Sequence, residues 1–236
     1  MRTGCVVADD GGVNLDILPA PSPAHPTAWS RAFPILYDPF LWLGERTGVR
    51  ALRHNVLANA RGDTVEIGSG TGLNLRHYPT GLSELVLLEP DPLMRSRLER
   101  RVAESGRRAQ VVDAPAERLP FGDATVDTVV STFVLCTVEA PELAVREIMR
   151  VLRPGGQLLF IEHVRSNSAT LALWQDRLVE PWSRFAKGCR CNRAIGELIG
   201  SCGFGMDDLH EASWHAMPPI VRPLIAGRAT MGVGDA

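Results

Sequence analysis

Short apolar segments alternate with amphipathic segments between residues 64 and 164. The five apolar segments are bounded by polar residues, glycine or proline, which is typical of buried strands. They are 64–67, 84–89, 109–112, 126–132 and 157–164. Two stretches between them carry apolar residues at helical spacing: Met94, Leu98 and Val102 in one, and Val145, Ile148, Met149 and Leu152 in the other. Pro154 and the two glycines after it should end the second helix.

This alternation predicts an α/β fold. Repeated strand and crossover units, with strands apolar on both faces, imply a doubly wound, mostly parallel sheet with helices on both faces. A further helical segment at 195–202 and two weaker strand candidates near 206–214 and 223–231 bring the sheet to seven strands. Ligands of such sheets bind at the carboxyl ends of the strands.

Composition divides the chain into three regions. Residues 1–28 are rich in proline and glycine and predict a flexible arm. Residues 29–60 are aromatic-rich and interrupted by Pro34, Pro39 and Gly44, so we expect one or two short helices that form a lid over a pocket. Residues 61–236 hold the sheet, with an insert at 165–191 after the fifth strand.

Bulk composition narrows the classes of partner. A chain of 236 residues with 45% hydrophobic and 22% charged residues is an ordinary globular chain of one sizeable domain. A net charge of −2 provides no general attraction to nucleic acid, so the expected partner is a small molecule, and the oligomeric state stays open. With no apolar run of about 20 residues and no secretory pattern, we expect a cytoplasmic location and no integral membrane segment.

The five cysteines do not predict a disulfide framework or a metal site. Their number is odd and they are scattered, which favours reduced thiols. The sequence CRC at 189–191 lacks the spacing of common zinc sites and has no second pair nearby, so we expect no bound metal.

A glycine-rich segment, EIGSGTGLN at 66–74, follows the first strand. Its bare backbone can turn tightly against a ligand and present free N–H groups to it. The dinucleotide pattern G-x-G-x-x-G is not met because Leu73 occupies the sixth position, which counts against NAD or FAD. Glu89 closes the second strand, where a carboxylate can accept hydrogen bonds from both hydroxyls of a ribose. The pair predicts a nucleoside cofactor.

These motifs resemble the class I S-adenosylmethionine-dependent methyltransferases. The resemblance runs from about Thr64 to Phe204 and includes EIGSGTG, LLEPDP, AERLPF and LRPGG in the order of that family. It implies a Rossmann-like fold for 61–236, S-adenosyl-L-methionine as cofactor and S-adenosyl-L-homocysteine as product.

The resemblance also implies a set of cofactor contacts. By that likeness, the methionyl part would be held by Glu66, Gly68, Ser69, Gly70, Thr71, Gly72 and Asn74, and the ribose by Glu89 and Pro90. Ala116 and Glu117 would border the adenine, and Ser131, Thr132 and Phe133 would lie beside the transferable methyl group. Many relatives have Asp or Asn before the AE dipeptide, where this chain has Pro115, and Asp113 is a possible substitute.

A narrower resemblance, carried by VLCTV, EHV, WQ, EPW and GC, is to the alkyl thiol S-methyltransferases. It implies in-line methyl transfer to a thiol. Alternatives left open are C-, O- or N-methylation of a quinone precursor, a phenol or a lipid amine, methylation of arsenite held by cysteines, and a non-catalytic module that binds the cofactor.

Two residues are candidates for catalysis. A free thiol is only a few per cent thiolate near neutral pH, so an imidazolium at His163 or a guanidinium at Arg193 would raise the reactive fraction. The alternatives are that His163 bonds a neighbouring loop and that Arg193 caps or pairs on a helix surface. An acceptor wall is expected from Tyr37, Trp174 and Trp182, with Cys136 nearby, although these are also ordinary core residues.

Overall fold

The computed structural model describes residues 28–232, whose core is a seven-stranded sheet. Its strands are β1 Asp63–Ile67, β2 Glu84–Leu88, β3 Gln110–Val112, β4 Val126–Thr132, β5 Leu152–His163, β6 Phe204–Ser213 and β7 Pro223–Met231. The order is β3-β2-β1-β4-β5-β7-β6, and only β7 runs against its neighbours. The predicted fold, including its two weaker strands, is confirmed. The predicted arm at 1–28 lies outside the described residues apart from Ala28.

In the described part of the chain, six α-helices surround the sheet: α1 Ala28–Gly44, α2 Arg50–Leu57, α3 Pro92–Ser105, α4 Pro141–Val151, α5 Ala169–Phe185 and α6 Ile195–Ser201. The sequence explains where α3 begins and ends. Asp91 caps it by accepting hydrogen bonds from the amides of Leu93 and Met94, Pro92 occupies its first turn, and Gly106 follows it in the left-handed conformation. Within residues 28–232, no helix combines the length and apolar character needed to cross a membrane.

Both faces of the sheet are covered. Side chains alternate across a strand, and in β5 Leu158 and Phe160 belong to one buried cluster while Leu159 and Ile161 belong to the other. One cluster includes α4 and α6, and the other includes α2 and part of α3. Strands apolar on both faces therefore form the centre of a three-layer domain.

Helix α1 differs from the sequence prediction because its prolines do not break it. Pro34 and Pro39 both lie inside one helix of 17 residues. Each proline removes a backbone hydrogen bond, but aromatic packing with α5 compensates: Trp29 stacks on Phe185 with ring centroids 5.1 Å apart, and Phe40 packs edge-on against the same ring. The helix ends at Gly44, where a Cβ would lie 1.9 Å from the indole of Trp214.

Strand β5 also begins earlier than expected. The predicted strand starts at residue 157, whereas the structure pairs Leu152 with Val126 before the pairing shifts and resumes between Gln157 and Thr128. The intervening RPGG segment bulges out of the strand, with Gly155 at φ 74°. The helix α4 therefore ends at Val151, one residue before Leu152, which the prediction places in the helix, and the proline and glycines lie within an interrupted strand.

Candidate functional site

A cavity of about 390 Å³ lies at the carboxyl ends of the central strands. One side is formed by the glycine-rich loop after β1, the end of β2 and the segment 115–117. The other is formed by aromatic residues of α1 and α5, the end of β5 and the loops after β4 and β6. A small adjoining cavity extends beneath the glycine loop. Since ligands of open parallel sheets bind at this edge, the position agrees with the sequence prediction.

The glycine loop turns through positive φ angles. Gly68 has φ 53° and Gly70 has φ 56°. A Cβ on Gly68 would lie 2.6 Å from Val134, so that position needs glycine for packing. A Cβ on Gly70 would meet only the ring of Tyr37 at 4.0 Å, and it would occupy space that the cavities share. Gly70 therefore leaves room for a ligand rather than for a neighbouring side chain.

Glu89 faces the cavity from the end of β2. Its carboxylate accepts hydrogen bonds from the amides of Gly70, at 2.7 Å, and Asp91, at 2.8 Å. Burial raises its pKa, and those two hydrogen bonds oppose the rise. The loop and the acid, 19 residues apart, are thus in direct contact, and Pro90, Ala116 and Glu117 line the same cavity.

Glu66 lies in the adjoining small cavity with Asn74. It accepts hydrogen bonds from Asn74 Nδ2 at 2.6 Å and from the hydroxyl of Tyr78 at 2.8 Å. Burial raises the pKa of Glu66 to about 7, because desolvation outweighs these bonds and the charge of Arg53. Ser69, Thr71 and Thr132 line the same space.

Arg53 of α2 is a site residue that sequence analysis missed. It is buried, and its Nη1 donates to Asn74 Oδ1 at 2.7 Å and to Thr132 Oγ1 at 3.1 Å. Its Nε pairs with Glu45 at 2.9 Å. The signal was present in the sequence: Arg53 shares a helical face with the buried Val49, Val56 and Leu57, and a cation on an apolar face needs a partner.

Aromatic side chains form the opposite half of the main cavity, here named the aromatic compartment: Tyr37, Phe133, His163, Trp182, Phe185 and Trp214. The rings of Phe133, His163 and Trp214 are in mutual contact, and the Phe133 centroid is 4.8 Å from each of the other two. The imidazole also stacks on Trp214 at 5.6 Å. Trp214 was not predicted as a site residue, because nothing near it in the sequence points to a ligand.

His163 is neutral in this environment. Burial lowers the pKa of His163 to about 4, and a hydrogen bond with the backbone of Val221 opposes the shift only in part. Its Nδ1 is buried and has no hydrogen-bond partner among the described residues. The expected imidazolium is therefore not formed near neutral pH, and Nδ1 is a buried neutral nitrogen instead.

Ser131 and Cys136 lie outside both cavities because they are part of a network around Glu162. This carboxylate is fully buried and accepts from Ser131 Oγ at 2.7 Å and from the amides of Val134, Leu135 and Cys136 at 3.0 to 3.1 Å. Glu162 thereby shapes the loop that carries Phe133. Sequence analysis did not identify this role of Glu162, because its hydrogen-bond partners lie 26 to 31 positions away in the chain.

Arg193, Trp174 and Asp113 do not reach the cavity. Arg193 donates to the carbonyls of Leu135 and Val138, at 3.0 and 2.7 Å, and so holds the same loop from outside. Trp174 is exposed on α5, and Asp113 pairs with Arg95 at 2.9 Å. The structure therefore places Arg193 as a loop clamp rather than beside a substrate.

Comparison with known proteins agrees with this geometry. Residues 65–160 match the family described as "Methyltransferase domain". A thiol S-methyltransferase of Homo sapiens is 35% identical over 170 residues, which are 70% of this chain and 69% of that protein. A phosphatidylethanolamine N-methyltransferase of Cereibacter sphaeroides is 35% identical over 117 residues, or 48% of this chain and 57% of the relative.

A solved structure provides the same fold. It is a SAM-dependent methyltransferase of Thermotoga maritima, described as a possible histamine N-methyltransferase. The TM-score is 0.64 at 22% sequence identity, and the superposition covers 86% of this chain and 98% of the other.

Proposed function

This chain belongs to the S-adenosylmethionine-dependent methyltransferases, and from that premise we propose that it methylates a small apolar acceptor, with a thiol favoured. One observation carries the proposal: a single cavity joins the glycine loop and Glu89 to the aromatic compartment. A nucleoside cofactor and an acceptor can therefore meet inside one cavity.

The residues of the first half fit the cofactor. Gly70 leaves the space that a Cβ would fill, and Glu89 presents a carboxylate for the ribose hydroxyls. Arg53 provides a buried cation and Glu66 a buried carboxyl group at the far end, which suit the carboxylate and the ammonium of a methionyl group. When bound, S-adenosylmethionine supplies an activated methyl group.

The aromatic compartment favours an uncharged acceptor. The carboxylates that line the cavity, Glu89, Asp91 and Glu117, belong to the cofactor half. A thiol ionises near pH 8.5 and is the easiest of the candidate acceptors to deprotonate, so it needs the weakest base. The thiol S-methyltransferase relative supports the same choice.

His163 is the proposed proton acceptor. As the sulfur donates an electron pair to the new S–C bond, its S–H proton becomes strongly acidic, and the neutral Nδ1 can take it despite its low basicity. Phe133 and Trp214 hold the imidazole plane by stacking. Trp182 and Tyr37 close the compartment against water.

The acceptor class can be tested directly. The full chain is incubated with isotopically labelled methyl donor and a panel of thiols, phenols, quinone precursors and amines, and labelled products are identified by mass spectrometry. A labelled thioether is the expected product. Labelled amine, phenol or quinone product without any thioether would reject the thiol proposal and leave the methyltransferase assignment intact.

Replacing Glu89 with alanine should weaken binding of the methyl donor by roughly 10- to 100-fold, because hydrogen bonds to a charged group contribute about 1.5–3 kcal/mol each. Isothermal titration calorimetry measures the change. Glu84→Ala, at the exposed start of the same strand, is the matched control and should bind normally. Equal affinities for the wild type and Glu89→Ala would place the ribose elsewhere.

Replacing His163 with asparagine should lower kcat for a thiol by about 100-fold near pH 7, as expected for loss of a positioned base. The deficit should shrink as the pH approaches the thiol pKa of about 8.5, because the acceptor then ionises without help. Steady-state kinetics across this range test the role. A deficit that is the same at every pH would indicate that His163 only shapes the compartment.

A further inference from the structure

Exposed apolar side chains are concentrated on two helices. Eleven large apolar residues are exposed within the described part of the chain, and only Leu93 and Leu209 lie outside α1 and α5. The other nine form what we name the apolar face: Ile35, Leu36, Phe40, Trp42, Leu43, Leu173, Trp174, Leu178 and Phe185. Isolated exposed apolar residues are ordinary, but a concentration of this kind marks an interaction surface.

Two residues of the apolar face also line the cavity. Phe40 is 42% exposed and Phe185 is 40% exposed, yet both line the cavity. Their rings pack edge to face at 5.7 Å, one from α1 and one from α5. The apolar face therefore borders the cavity, on both helices that carry it.

The carboxylates of these helices are neutralised within the protein. Asp38 pairs with Arg101, Asp176 with Arg165, and Glu180 with Arg190. In each pair the arginine comes from outside α1 and α5. The acidic groups thus contribute little net negative charge to this surface.

The arginines of the same surface are left positive. Within residues 28–232, Arg31, Arg46, Arg177 and Arg184 form no ion pair. Arg46 lies over the ring of Trp42 at 4.8 Å, and Arg177 lies over Trp174 at 5.6 Å. Tryptophan beside arginine, next to leucine and phenylalanine, is typical of helices that lie in a lipid interface.

We propose that the apolar face docks this protein on the surface of a bilayer that contains anionic lipids. Lipid headgroups would neutralise the four arginines, and the acyl boundary would cover the apolar residues. A symmetric contact with a second copy would instead place the same arginines against one another. Docked in this way, the cavity opens toward the lipid, and an apolar acceptor dissolved in it enters without crossing water. The proposal is independent of the acceptor atom.

Vesicle co-sedimentation of the full chain tests the proposal. Vesicles of phosphatidylcholine mixed with phosphatidylglycerol should sediment the wild-type protein. Vesicles of pure phosphatidylcholine should sediment much less of it. The Trp42→Glu, Leu43→Glu double variant should lower the partition coefficient about tenfold or more. The control variant Leu209→Glu, which changes an exposed leucine on β6, should leave it unchanged. Each of Arg46→Gln and Arg177→Gln should lower it roughly fivefold.

Folding and association are measured in parallel. Circular dichroism and donor binding should be unchanged in all these variants, since none of the altered residues lines the cavity. Undiminished vesicle binding by the double variant would place the contact elsewhere in the chain, including residues 1–27, and would overturn the proposal. The proposal would also be overturned if the wild type does not bind vesicles and light scattering shows a dimer that is absent in the double variant.

Discussion

Replacing Arg53 with methionine is expected to lower the free energy of unfolding by about 3 to 5 kcal/mol, as breaking a buried ion pair does. The reason lies in Glu45, which is buried and bonds Arg53 through one oxygen, while its Oε2 has no partner among the described residues. Without the guanidinium, that carboxylate becomes an uncompensated buried charge. Urea denaturation measures the loss.

A second variant separates stability from cofactor binding. Arg53→Met combined with Glu45→Leu removes both charges, and replacing a buried pair by apolar residues is often neutral. We expect unfolding free energy to recover while affinity for the methyl donor stays about 100-fold low, because the buried cation that we assign to the methionyl carboxylate is still missing. Full recovery of affinity in this double variant would show that Arg53 only supports the fold.

A matched control uses another arginine. Arg53 pairs with one buried carboxylate, whereas Arg153 pairs with two, Asp63 and Asp127, at a partly exposed position. Exposed pairs contribute about 0 to 1 kcal/mol, so Arg153→Met should change stability little and donor affinity not at all. A loss as large as that of Arg53→Met would mean that burial is not what distinguishes the two sites.

The strands of the sheet could be predicted from the sequence because their apolar segments are short and clearly bounded. Strand β4 begins and ends at the predicted residues, and β1 and β2 differ from prediction by a single residue each. Each is a short apolar run between polar boundaries, and its length, rather than its periodicity, distinguishes it from a buried helix. The course of α1 could not be read, because it depends on contacts with Phe185 in a helix that is distant in the sequence.

The candidate site was predictable only where its chemistry is local. Glu89 and the glycine loop come directly after strands whose ends must meet at one edge, and they are in contact. Arg53 hydrogen-bonds Thr132, which lies 79 positions later in the chain. Glu162, at the end of β5, accepts a hydrogen bond from the loop that follows β4. Buried polar groups must be paired, but the sequence does not say with which partner.

Glu66 should make the unfolding free energy depend on pH. Its pKa is about 7 in the folded protein, against an ordinary value of 4.5. The folded state therefore keeps a proton that the unfolded chain releases, so the stabilisation is complete below pH 4.5 and is lost as the pH rises through 7. The difference corresponds to about 3 kcal/mol.

Two histidines titrate in the opposite direction over part of this range. Burial lowers the pKa values of His77 and His163 to about 4, so they destabilise the folded state as the pH falls. The informative quantity is therefore the wild-type unfolding free energy minus that of Glu66→Gln, measured by urea denaturation in stable buffers. This difference should fall by about 3 kcal/mol between pH 4.5 and about pH 8, because glutamine cannot ionise.

An exposed carboxylate provides the comparison. Glu84→Gln, at an exposed position on the neighbouring strand, is measured in the same buffers to check the denaturation protocol. A constant difference for Glu66→Gln would mean that Glu66 is ionised in the folded protein throughout the range. In that case the hydrogen bonds from Asn74 and Tyr78, together with the charge of Arg53, outweigh its burial.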